Sequence, residues 1–479
     1  MPFDRSELEL SESAMRAMVE QAMARIVPHI VSLPEQPAQD LLGADELALS
    51  LLEPLPQVGT NLESLLDLLF DQAVPKTLNT ASPGYLAYIP SGGLFHSAVA
   101  DLISDSVNRY VGIWAAAPAL VQIEANVIRW FCEMVGYPKT AGGILTSGGS
   151  IANLTAIIAA RVDRLPEDFL KGTLYTSSQA HHSVEKAAAL AGFPARNVRS
   201  IETDERQRIR MDRLVERIAE DRAAGFMPFL LVMNAGTTNT GAVDDLDAAA
   251  DLAAREGLWL HVDGAYGGFF ILTERGRRML HGIQRADSIT LDPHKGLALP
   301  YGTGSLLVRD PPKLRQAHHA SADYLQDMQV DEEKIDFSDL SPELSRPFRG
   351  LRVWLPMKLH GIGAFRDHLE EKLELARLAL DELRTIPGVE ITAEPQLSIL
   401  AFRLKPQGMD QAGLNELNRS FLERINAPQR IYLTPTLLNG DFVIRIALLS
   451  FRTHRDRMLV GLEDIRAAAA EILGSVQGS

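Results

Sequence analysis

The interpretation of this chain begins at residues 288–296, which read Ser-Ile-Thr-Leu-Asp-Pro-His-Lys-Gly. The apolar run 289–291 predicts a buried strand, and Pro293 ends it because proline has no backbone N–H to donate. Lys295 therefore follows a strand end, where its side chain can enter a cleft and lose part of its hydration. Lost hydration frees the amine lone pair for attack on a carbonyl, although a surface loop lysine would show the same local pattern.

Around this stretch, helical segments alternate with short apolar runs that are bounded by Gly, Pro, Asn or Asp. The predicted strands are 143–146, 173–176, 228–233, 258–262, 288–291 and 304–308. Such alternation predicts βαβ units, and therefore an α/β fold with a mostly parallel central sheet and helices on both faces. Sheets of this kind bind ligands beyond the carboxyl ends of their strands.

The pattern divides the chain into three predicted regions. Residues 1–80 form an N-terminal helical segment with helical spacing at 12–27 and 62–70, too small to bury its apolar faces alone. We expect it to pack on the main body or on a second subunit. Residues 81–355 form the large domain, and residues 356–479 form a smaller C-terminal α+β domain.

The C-terminal region mixes helices with short strands. Its predicted strands are 389–391, 398–404, 430–433 and 442–447, followed by a helix at 456–473. Before it, the acidic segment 314–349 has no clear periodicity, which predicts either a functional lid or a disordered loop.

Composition excludes several classes of function. The 479 residues include 47 basic and 62 acidic side chains, and the net charge of −15 disfavours nucleic-acid binding, which needs basic surface. No apolar stretch is long enough to span a bilayer, and no secretory signal begins the chain, so we expect a cytoplasmic protein. Cys132 is the single cysteine, which excludes an intrachain disulfide, and no His/Asp/Glu cluster has metal-ligand spacing.

Residues 146–153 read Thr-Ser-Gly-Gly-Ser-Ile-Ala-Asn, follow a predicted strand and open an apolar helix. Gly148 and Gly149 let the backbone approach an anion, and the hydroxyls of Ser147 and Ser150 can join the first helical N–H groups in binding it. A plain glycine turn with a serine cap is the alternative. A Walker P-loop is excluded because no Lys-Ser/Thr follows the glycines.

Other polar residues follow the neighbouring strands. Asp263 ends the predicted strand 258–262, where a carboxylate can bind magnesium, cap a helix or pair with a protonated ring nitrogen. The pair His181-His182 begins a helix, and one ring can stack on a planar ligand or make a structural hydrogen bond. The segment 234–238, Asn-Ala-Gly-Thr-Thr, ends a further strand. Its two threonine hydroxyls can face the same edge of the sheet, or the segment is a plain turn.

Taken together, these features meet the needs of one cofactor. An anion site, a histidine beside it, a strand-end carboxylate and a later lysine match pyridoxal 5′-phosphate (PLP). PLP requires a phosphate site, a ring partner, an acid that keeps its pyridine nitrogen protonated, and an amine for its aldehyde.

With these residues in place, the chain resembles the group II amino-acid decarboxylases of the fold-type I PLP enzymes, the family of aromatic-amino-acid, histidine and glutamate decarboxylases. The matching motifs are spread from Ser82 to Leu351, a span of more than half of the chain: Ser82-Pro83, Tyr88-Ile89-Pro90, Trp114-Ala115-Ala116-Ala117-Pro118, Gln179-Ala180-His181, Gly236-Thr237-Thr238, His261-Val262-Asp263, Ala265-Tyr266, Pro293-His294-Lys295 and Phe348-Arg349-Gly350-Leu351, with Arg445-Ile446-Ala447 near the end.

The resemblance implies a role for each matching residue. Lys295 would bind the cofactor aldehyde covalently, Asp263 would pair with the ring nitrogen, and His181 would stack on the ring. The other cofactor contacts implied are Ser147, Gly148, Gly149, Ser150, Thr238, Ala265, Asp292 and His294. The family often has Asn in place of Asp292, and a carboxylate beside a phosphate is unfavourable unless it is protonated or turned away.

The implied reaction is decarboxylation of an L-amino acid to its amine and carbon dioxide. In relatives, a tyrosine on a mobile loop donates the last proton to the neighbouring subunit's site. Its approximate counterpart here is Phe337, and Tyr324 lies earlier on the same loop, so the identity of the proton donor stays open. Some family members with Phe at this place release an aldehyde instead. An aldehyde synthase is therefore one alternative, and a catalytically inactive scaffold is the other, although the presence of Lys295 and Asp263 disfavours the scaffold.

The resemblance also implies a substrate and a partner. An aromatic L-amino acid is the first expectation, with glutamate and diaminobutyrate open, because Thr80, Ile89, Tyr110 and Gly112 occupy positions that carry more aromatic rings in aromatic-specific relatives. A homodimer is implied, with active sites at the interface and the N-terminal segment clasping the partner.

Overall fold

The computed structural model describes residue 6 and residues 8–318 and 334–477. Its helices are α1 (Glu12–Val31), α2 (Ala44–Ser50), α3 (Leu62–Asp67), α4 (Phe95–Val107), α5 (Pro118–Met134), α6 (Gly149–Arg164), α7 (Ser183–Leu190), α8 (Met211–Ala223), α9 (Leu246–Glu256), α10 (Glu274–Met279), α11 (Pro293–Gly296), α12 (Pro311–His318), α13 (Arg349–Leu383), α14 (Gln411–Asn426) and α15 (Arg455–Gln477). Its strands are β1 (Gly142–Thr146), β2 (Gly172–Ser177), β3 (Val198–Ile201), β4 (Met227–Asn234), β5 (Trp259–Asp263), β6 (Ser288–Leu291), β7 (Gly304–Val308), β8 (Val389–Ala393), β9 (Ile399–Leu404), β10 (Thr434–Leu438) and β11 (Asp441–Ala447).

Within the described residues, β1 to β7 form one seven-stranded sheet in the order β1-β7-β6-β5-β4-β2-β3. Neighbouring strands from β6 through β5, β4 and β2 to β3 are parallel, whereas β7 is antiparallel to both β6 and β1. Because β7 reverses the direction twice, β1 runs the same way as β6. The carboxyl ends of β1, β2, β4, β5 and β6 therefore meet at one edge of the sheet.

This arrangement confirms the predicted α/β class and corrects it in detail. The strand predicted at 304–308 is present as β7 but runs antiparallel, and β3 is an edge strand that the apolar-run criterion missed because it contains Arg199 and Ser200. Every residue of β5, β6 and β7 is buried, as expected for strands covered by helices on both faces.

The C-terminal region carries its own antiparallel sheet, in the order β10-β11-β9-β8 among the described strands. The strand predicted at 430–433 is wrong by four residues, since β10 begins at Thr434. The preceding run turns instead: Gln429 has φ +58°, and Tyr432 makes a single bridge to Tyr85.

The two sheets are joined by the long helix α13. It kinks at Gly361, whose φ of +68° is outside the helical region and is tolerated by glycine. Its first half packs on α4 and α5 beside the large sheet, and its second half joins the core of the C-terminal sheet. The predicted boundary at 355/356 falls inside this helix, and the division into domains stays a prediction.

The N-terminal helices differ from the rest of the chain. In α1, α2 and α3 no residue is buried, although these helices carry Met, Val and Leu side chains. In the ranges that the structure describes, no helix is long and apolar enough to cross a membrane.

Candidate active site

One cavity of about 270 Å³ lies at the common carboxyl edge of the large sheet. Eleven of the residues predicted as cofactor contacts line it: Ser147, Gly148, Gly149, Ser150, His181, Thr238, Asp263, Ala265, Asp292, His294 and Lys295. These residues come from loops after β1, β2, β4, β5 and β6. Strand direction brings them together, because parallel strands present their carboxyl ends at the same edge.

The anion cup lies between β1 and α6. Gly148 precedes α6 and Gly149 is its first residue, so the cavity lining includes the start of the helix, where backbone N–H groups lack their usual intrahelical partners. The hydroxyl of Thr146 donates to the Gly148 carbonyl at 3.0 Å and accepts from the Gly148 N–H at 3.3 Å, which holds the turn. A Cβ at Gly149 would lie 3.0 Å from Oδ2 of Asp292 and 3.1 Å from Cβ of Ala265, so glycine keeps the cup open.

Asp263 is the last residue of β5 and is buried. Its Oδ1 accepts from the Ala265 N–H at 3.1 Å, and its Oδ2 accepts from Nδ2 of Asn153 at 2.9 Å. Each oxygen keeps a second lone pair, so the carboxylate can still accept a hydrogen bond from a protonated ring nitrogen in the cavity.

His181 precedes α7 and lines the same cavity. Burial lowers the pKa of its imidazole below the ordinary value of 6.5, and this outweighs the opposing attraction of the Asp263 carboxylate. The ring is therefore neutral at pH 7. Its Nδ1 accepts from the backbone N–H of Ser183 at 3.2 Å, so the ring proton lies on Nε2. The ring of His182 lies 4.1 Å away, centre to centre.

Lys295 lies in the one-turn helix α11, which begins at Pro293 directly after β6. Its Nζ is 3.1 Å from Oδ2 of Asp292, and its side chain is 24% exposed while that of Asp292 is 2% exposed. The amine therefore faces the cavity rather than open water. Within the described residues, Oδ1 of Asp292 has no hydrogen-bond partner. Asp292 is thus paired with Lys295, yet it also borders the anion cup.

His294 lies beside this pair. Its Nδ1 donates to the Thr303 carbonyl at 2.6 Å, and its Nε2 is 3.6 Å from Oδ2 of Asp292. Burial lowers the pKa of His294, while the Asp292 carboxylate opposes that shift. A neutral His294 leaves Nε2 as an acceptor beside the cup.

Of the two loop residues predicted to be catalytic, Phe337 does not line this cavity. Tyr324 lies outside the described residues. Phe337 is fully buried in a single 3₁₀ turn, and the guanidinium of Arg346 lies 4.9 Å from the centre of its ring. The catalytic role of either residue stays a prediction.

Sequence reasoning missed Asn153 and Ser183 as contributors to the site. Both line the cavity, and Nδ2 of Asn153 also donates to Oγ of Ser183 at 3.1 Å. A signal was present in the helical spacing: Asn153 is four residues after Gly149 on α6, and positions i and i+4 share a helix face. The remaining cavity residues outside the predicted set are Ile151, Asn234, Gly236, Thr237 and Tyr266.

The arrangement fits PLP. The cup suits a phosphate, Asp263 suits a protonated ring nitrogen, the face of His181 suits a planar ring, and Lys295 suits an aldehyde. The carboxylate of Asp292 beside the cup is the one group that does not favour a phosphate, because like charges repel at short range.

Comparison with known proteins agrees with this geometry. Residues 53–405 match the family described as "Pyridoxal-dependent decarboxylase conserved domain". The aromatic-L-amino-acid decarboxylase of Bacillus atrophaeus is 37% identical over 467 residues, which are 97% of this chain and 97% of that protein.

Solved structures show the same likeness. The Oryza sativa TDC with PLP and tryptamine superposes with a TM-score of 0.91 at 27% identity, covering 97% of this chain and 99% of that one. The Rhodiola rosea 4-hydroxyphenylacetaldehyde synthase superposes with a TM-score of 0.90 at 25% identity, again covering 97% and 99%. The fold shared by these two proteins therefore accommodates either product class.

Proposed function

Because the chain belongs to the pyridoxal-dependent decarboxylase family, we propose that its substrate is an aromatic L-amino acid, which it converts to the amine and carbon dioxide. The chain is a PLP-dependent carboxy-lyase. The observation that carries the choice of substrate is the 37% identity, over 97% of both chains, to an aromatic-L-amino-acid decarboxylase.

Different cavity residues would contact different parts of the cofactor. When bound, PLP supplies an aldehyde that captures amines and a cationic ring that draws electrons from the substrate's α-carbon. We propose that residues 147–150 bind its phosphate, that Asp263 holds a proton on its ring nitrogen, and that His181 lies against its ring. Thr238 and Ala265 would close the other side of the cavity. The support for these assignments is that all these residues line one cavity.

Lys295 must lose a proton before its amine can attack a carbonyl. Oδ2 of Asp292, 3.1 Å from Nζ, is positioned to accept that proton and to return it when the amine is regenerated. The low exposure of the pair limits competition from water. Asp292 would thereby serve Lys295 despite its poor match to a phosphate.

A second candidate is an aldehyde synthase. After carbon dioxide leaves, the α-carbon must take a proton to yield the amine, and Phe337 has no acidic hydrogen to give. If oxygen reacts there instead, the amino acid, O₂ and water yield the aldehyde, carbon dioxide, ammonia and hydrogen peroxide. The synthase from Rhodiola rosea, which shares this fold, favours keeping this alternative. We propose Tyr324 as the donor in the decarboxylase and Phe337 as the residue whose identity separates the two outcomes.

A product screen tests both candidates. Purified enzyme with PLP is incubated with individual L-amino acids, and carbon dioxide, amine, aldehyde and peroxide are quantified together. The proposal expects the fastest carbon dioxide release with Trp, Tyr, Phe or a hydroxylated relative, and one amine per carbon dioxide. Peroxide and aldehyde equal to carbon dioxide would instead establish the synthase, and a preference for glutamate or diaminobutyrate would contradict the aromatic substrate.

We also propose a homodimer in the cytoplasm. The support is the exposed apolar surface of the N-terminal helices α1 to α3, which a second copy of the chain would cover: Met15, Met18, Val19, Val27, Val31, Leu49 and Leu65. The buried thiol of Cys132 suits a reducing compartment. Light scattering after gel filtration should give twice the chain mass of 52.6 kDa, and a stable monomer would contradict the proposal.

A further inference from the structure

A chain of buried hydrogen bonds runs behind the cavity from β5 to α6. The indole Nε1–H of Trp259 donates to Oγ of Ser288 at 2.8 Å, and that oxygen lies 2.8 Å from Nδ1 of His261. On the other side of the ring, Nε2 of His261 lies 3.1 Å from Oδ1 of Asn153. Nδ2 of Asn153 then donates to Oδ2 of Asp263 at 2.9 Å. All five residues are buried.

The two end groups of this hydrogen-bond series decide which atom donates and which accepts in each bond. An indole N–H can only donate and an ionised carboxylate can only accept. Because Nδ2 of Asn153 faces Asp263, its Oδ1 must face His261 and Thr290, whose hydroxyl donates to the same oxygen at 2.8 Å. Nε2 of His261 therefore carries a proton.

His261 carries only that one proton. Burial lowers its pKa to about 4 despite the opposing pull of the Asp263 carboxylate, so the ring is neutral at pH 7. Its Nδ1 is then an acceptor, and the hydroxyl of Ser288 must donate to it. Each hydrogen bond in the series from Trp259 through Ser288, His261 and Asn153 to Asp263 therefore has only one possible donor.

At Asn153 the hydrogen-bond series divides, and a second branch leads to His181. The second N–H of its amide donates to Oγ of Ser183 at 3.1 Å, and that oxygen lies 2.8 Å from Nδ1 of His181. Since Nδ1 also accepts from the Ser183 N–H, both contacts place the His181 proton on Nε2. One amide group thus contacts both the carboxylate proposed for the ring nitrogen and the residue that orients the stacking histidine.

We propose that Asn153 is a positioning residue that locks the Asp263 carboxylate and the His181 imidazole into one rigid unit and fixes the proton of His261 on Nε2. The proposal rests on the cofactor site assigned above. Asn153 acts through Asp263 and Ser183, and its amide works because it combines two donors with one acceptor oxygen. No other side chain of its size offers that combination.

The test exchanges this amide for a carboxyl. Asn153→Asp keeps the shape but points an oxygen at Oδ2 of Asp263 and at Ser183, where two carboxyl groups must repel or share a proton. We expect the affinity of the full-length apoprotein for PLP to fall about ten- to a hundredfold, since hydrogen bonds to charged groups carry that weight. Asn153→Ala, which removes the donor without adding charge, should lose about tenfold.

The ring nitrogen that carries the proton in His261 and His181 gives a second measurement, because a purely structural role of Asn153 would leave it unchanged. In ¹⁵N-histidine-labelled apoprotein, His261 and His181 should each show one protonated nitrogen, Nε2. In Asn153→Asp, the new carboxyl beside His261 should draw a second proton onto that ring at pH 7. A wild-type spectrum with the proton of His261 on Nδ1, or with mixed tautomers, would overturn the proposal without any variant.

Asn418→Asp is the matched control, because Asn418 is also buried and, among the described residues, its side chain bonds to the backbone of Leu404 and Leu414 beside the C-terminal sheet. It should lower the melting temperature while PLP affinity stays within about threefold of wild type. Equal losses of PLP affinity in the two Asp variants would show a general folding defect and overturn the proposal. If wild-type apoprotein binds no PLP, the site assignment itself fails. If it binds PLP and Asn153→Asp binds equally well, only the role of Asn153 fails.

Discussion

Two ion pairs of this protein each join a basic side chain to a buried carboxylate, but their surroundings suit them to different roles. Lys295 and Asp292 meet at 3.1 Å beside the cavity, whereas Arg346 and Glu124 meet at 2.6 Å with both side chains fully buried. Lysine can give up its proton, but arginine stays charged at any physiological pH. The Lys295–Asp292 pair can therefore take part in proton transfer, whereas the Arg346–Glu124 pair can only stabilise the fold.

Their surroundings reinforce the difference. Glu124 also accepts from the Gly350 N–H at 2.9 Å, and Arg346 donates to the Leu145 carbonyl at 3.0 Å while covering the ring of Phe337. These contacts tie the segment after residue 334 to the large sheet. Both pairs leave buried polar atoms without a hydrogen-bond partner among the described residues: Oδ1 of Asp292 in the first, and Oε1 of Glu124 with Nε and Nη1 of Arg346 in the second. The pairs differ in that Lys295 and Asp292 line the cavity, where a ligand can meet them, whereas Arg346 and Glu124 do not.

The largest effect is expected from Lys295→Ala. Without the amine, product should be released and substrate captured far more slowly, and carbon dioxide release should fall by about a thousandfold or more. Initial rates at saturating PLP measure this. Lys313→Ala is the control, because Lys313 forms a partly exposed pair with Asp163 away from the cavity. A Lys295→Ala variant that keeps a tenth of the rate would remove the distinction between the two pairs.

Arg346→Ala should act on stability instead. It leaves Glu124 charged and buried without its partner, which costs about 3–5 kcal/mol in the free energy of unfolding. Urea unfolding of the apoprotein measures the loss. The double variant Arg346→Met with Glu124→Leu removes both charges and should lose much less. If single and double variants are equally destabilised, packing rather than charge holds this segment.

The lowered pKa of His261 predicts how the free energy of unfolding depends on pH. Its pKa is about 4 in the folded chain, against an ordinary value of 6.5, so the unfolded chain binds more protons between those values. Stability should therefore fall as pH drops from about 6.5 towards 4, by up to about 3 kcal/mol from this residue. Urea unfolding of wild type and His261→Gln at pH 7.5 and pH 4.5 tests the sign. The variant should lose less on acidification, and parallel losses would contradict the assignment.

Asp292→Asn should have the smallest effect on equilibrium binding, a gain in PLP affinity of about three- to tenfold, while the loss of the proposed proton acceptor slows the reaction of Lys295 with the cofactor aldehyde. The substitution removes a negative charge beside the cup that is proposed to bind a phosphate dianion. Fluorescence titration of the apoprotein with PLP measures it, and pyridoxal, which lacks the phosphate, is the matched ligand control. An equal gain with pyridoxal would place the effect at Lys295 instead of the phosphate.

Much of the site could be predicted from sequence because its residues occupy strand ends. Asp263 follows an unmistakable apolar run, as does Lys295, and strand direction then forces both to one edge of the sheet. The position of Phe337 could not be predicted in the same way. It is buried under Arg346, which is held by the Leu145 carbonyl and by Glu124, both about 200 positions earlier in the chain, and no local pattern encodes such contacts.

The misplaced elements have physical reasons. Strand β3 carries Arg199, whose guanidinium pairs with buried Asp221, so its apolar signal is diluted although its backbone completes the sheet. The antiparallel direction of β7 follows from its return path after α11 and is not a property of its residues. Strand β10 begins late because positive φ at Gln429 turns the chain first.

By itself, the sequence determined which chemical groups follow which strands, and hence the cofactor class and the family, because apolar runs and helix starts are local properties of the chain. Tertiary structure alone decided how those groups point. The amide of Asn153 meets Asp263 from 110 positions away, and the direction of its hydrogen bonds depends on Trp259 and His261 packed behind it. Proton positions and free lone pairs are settled by such long-range contacts, since a buried polar group must take whatever partner the fold brings to it.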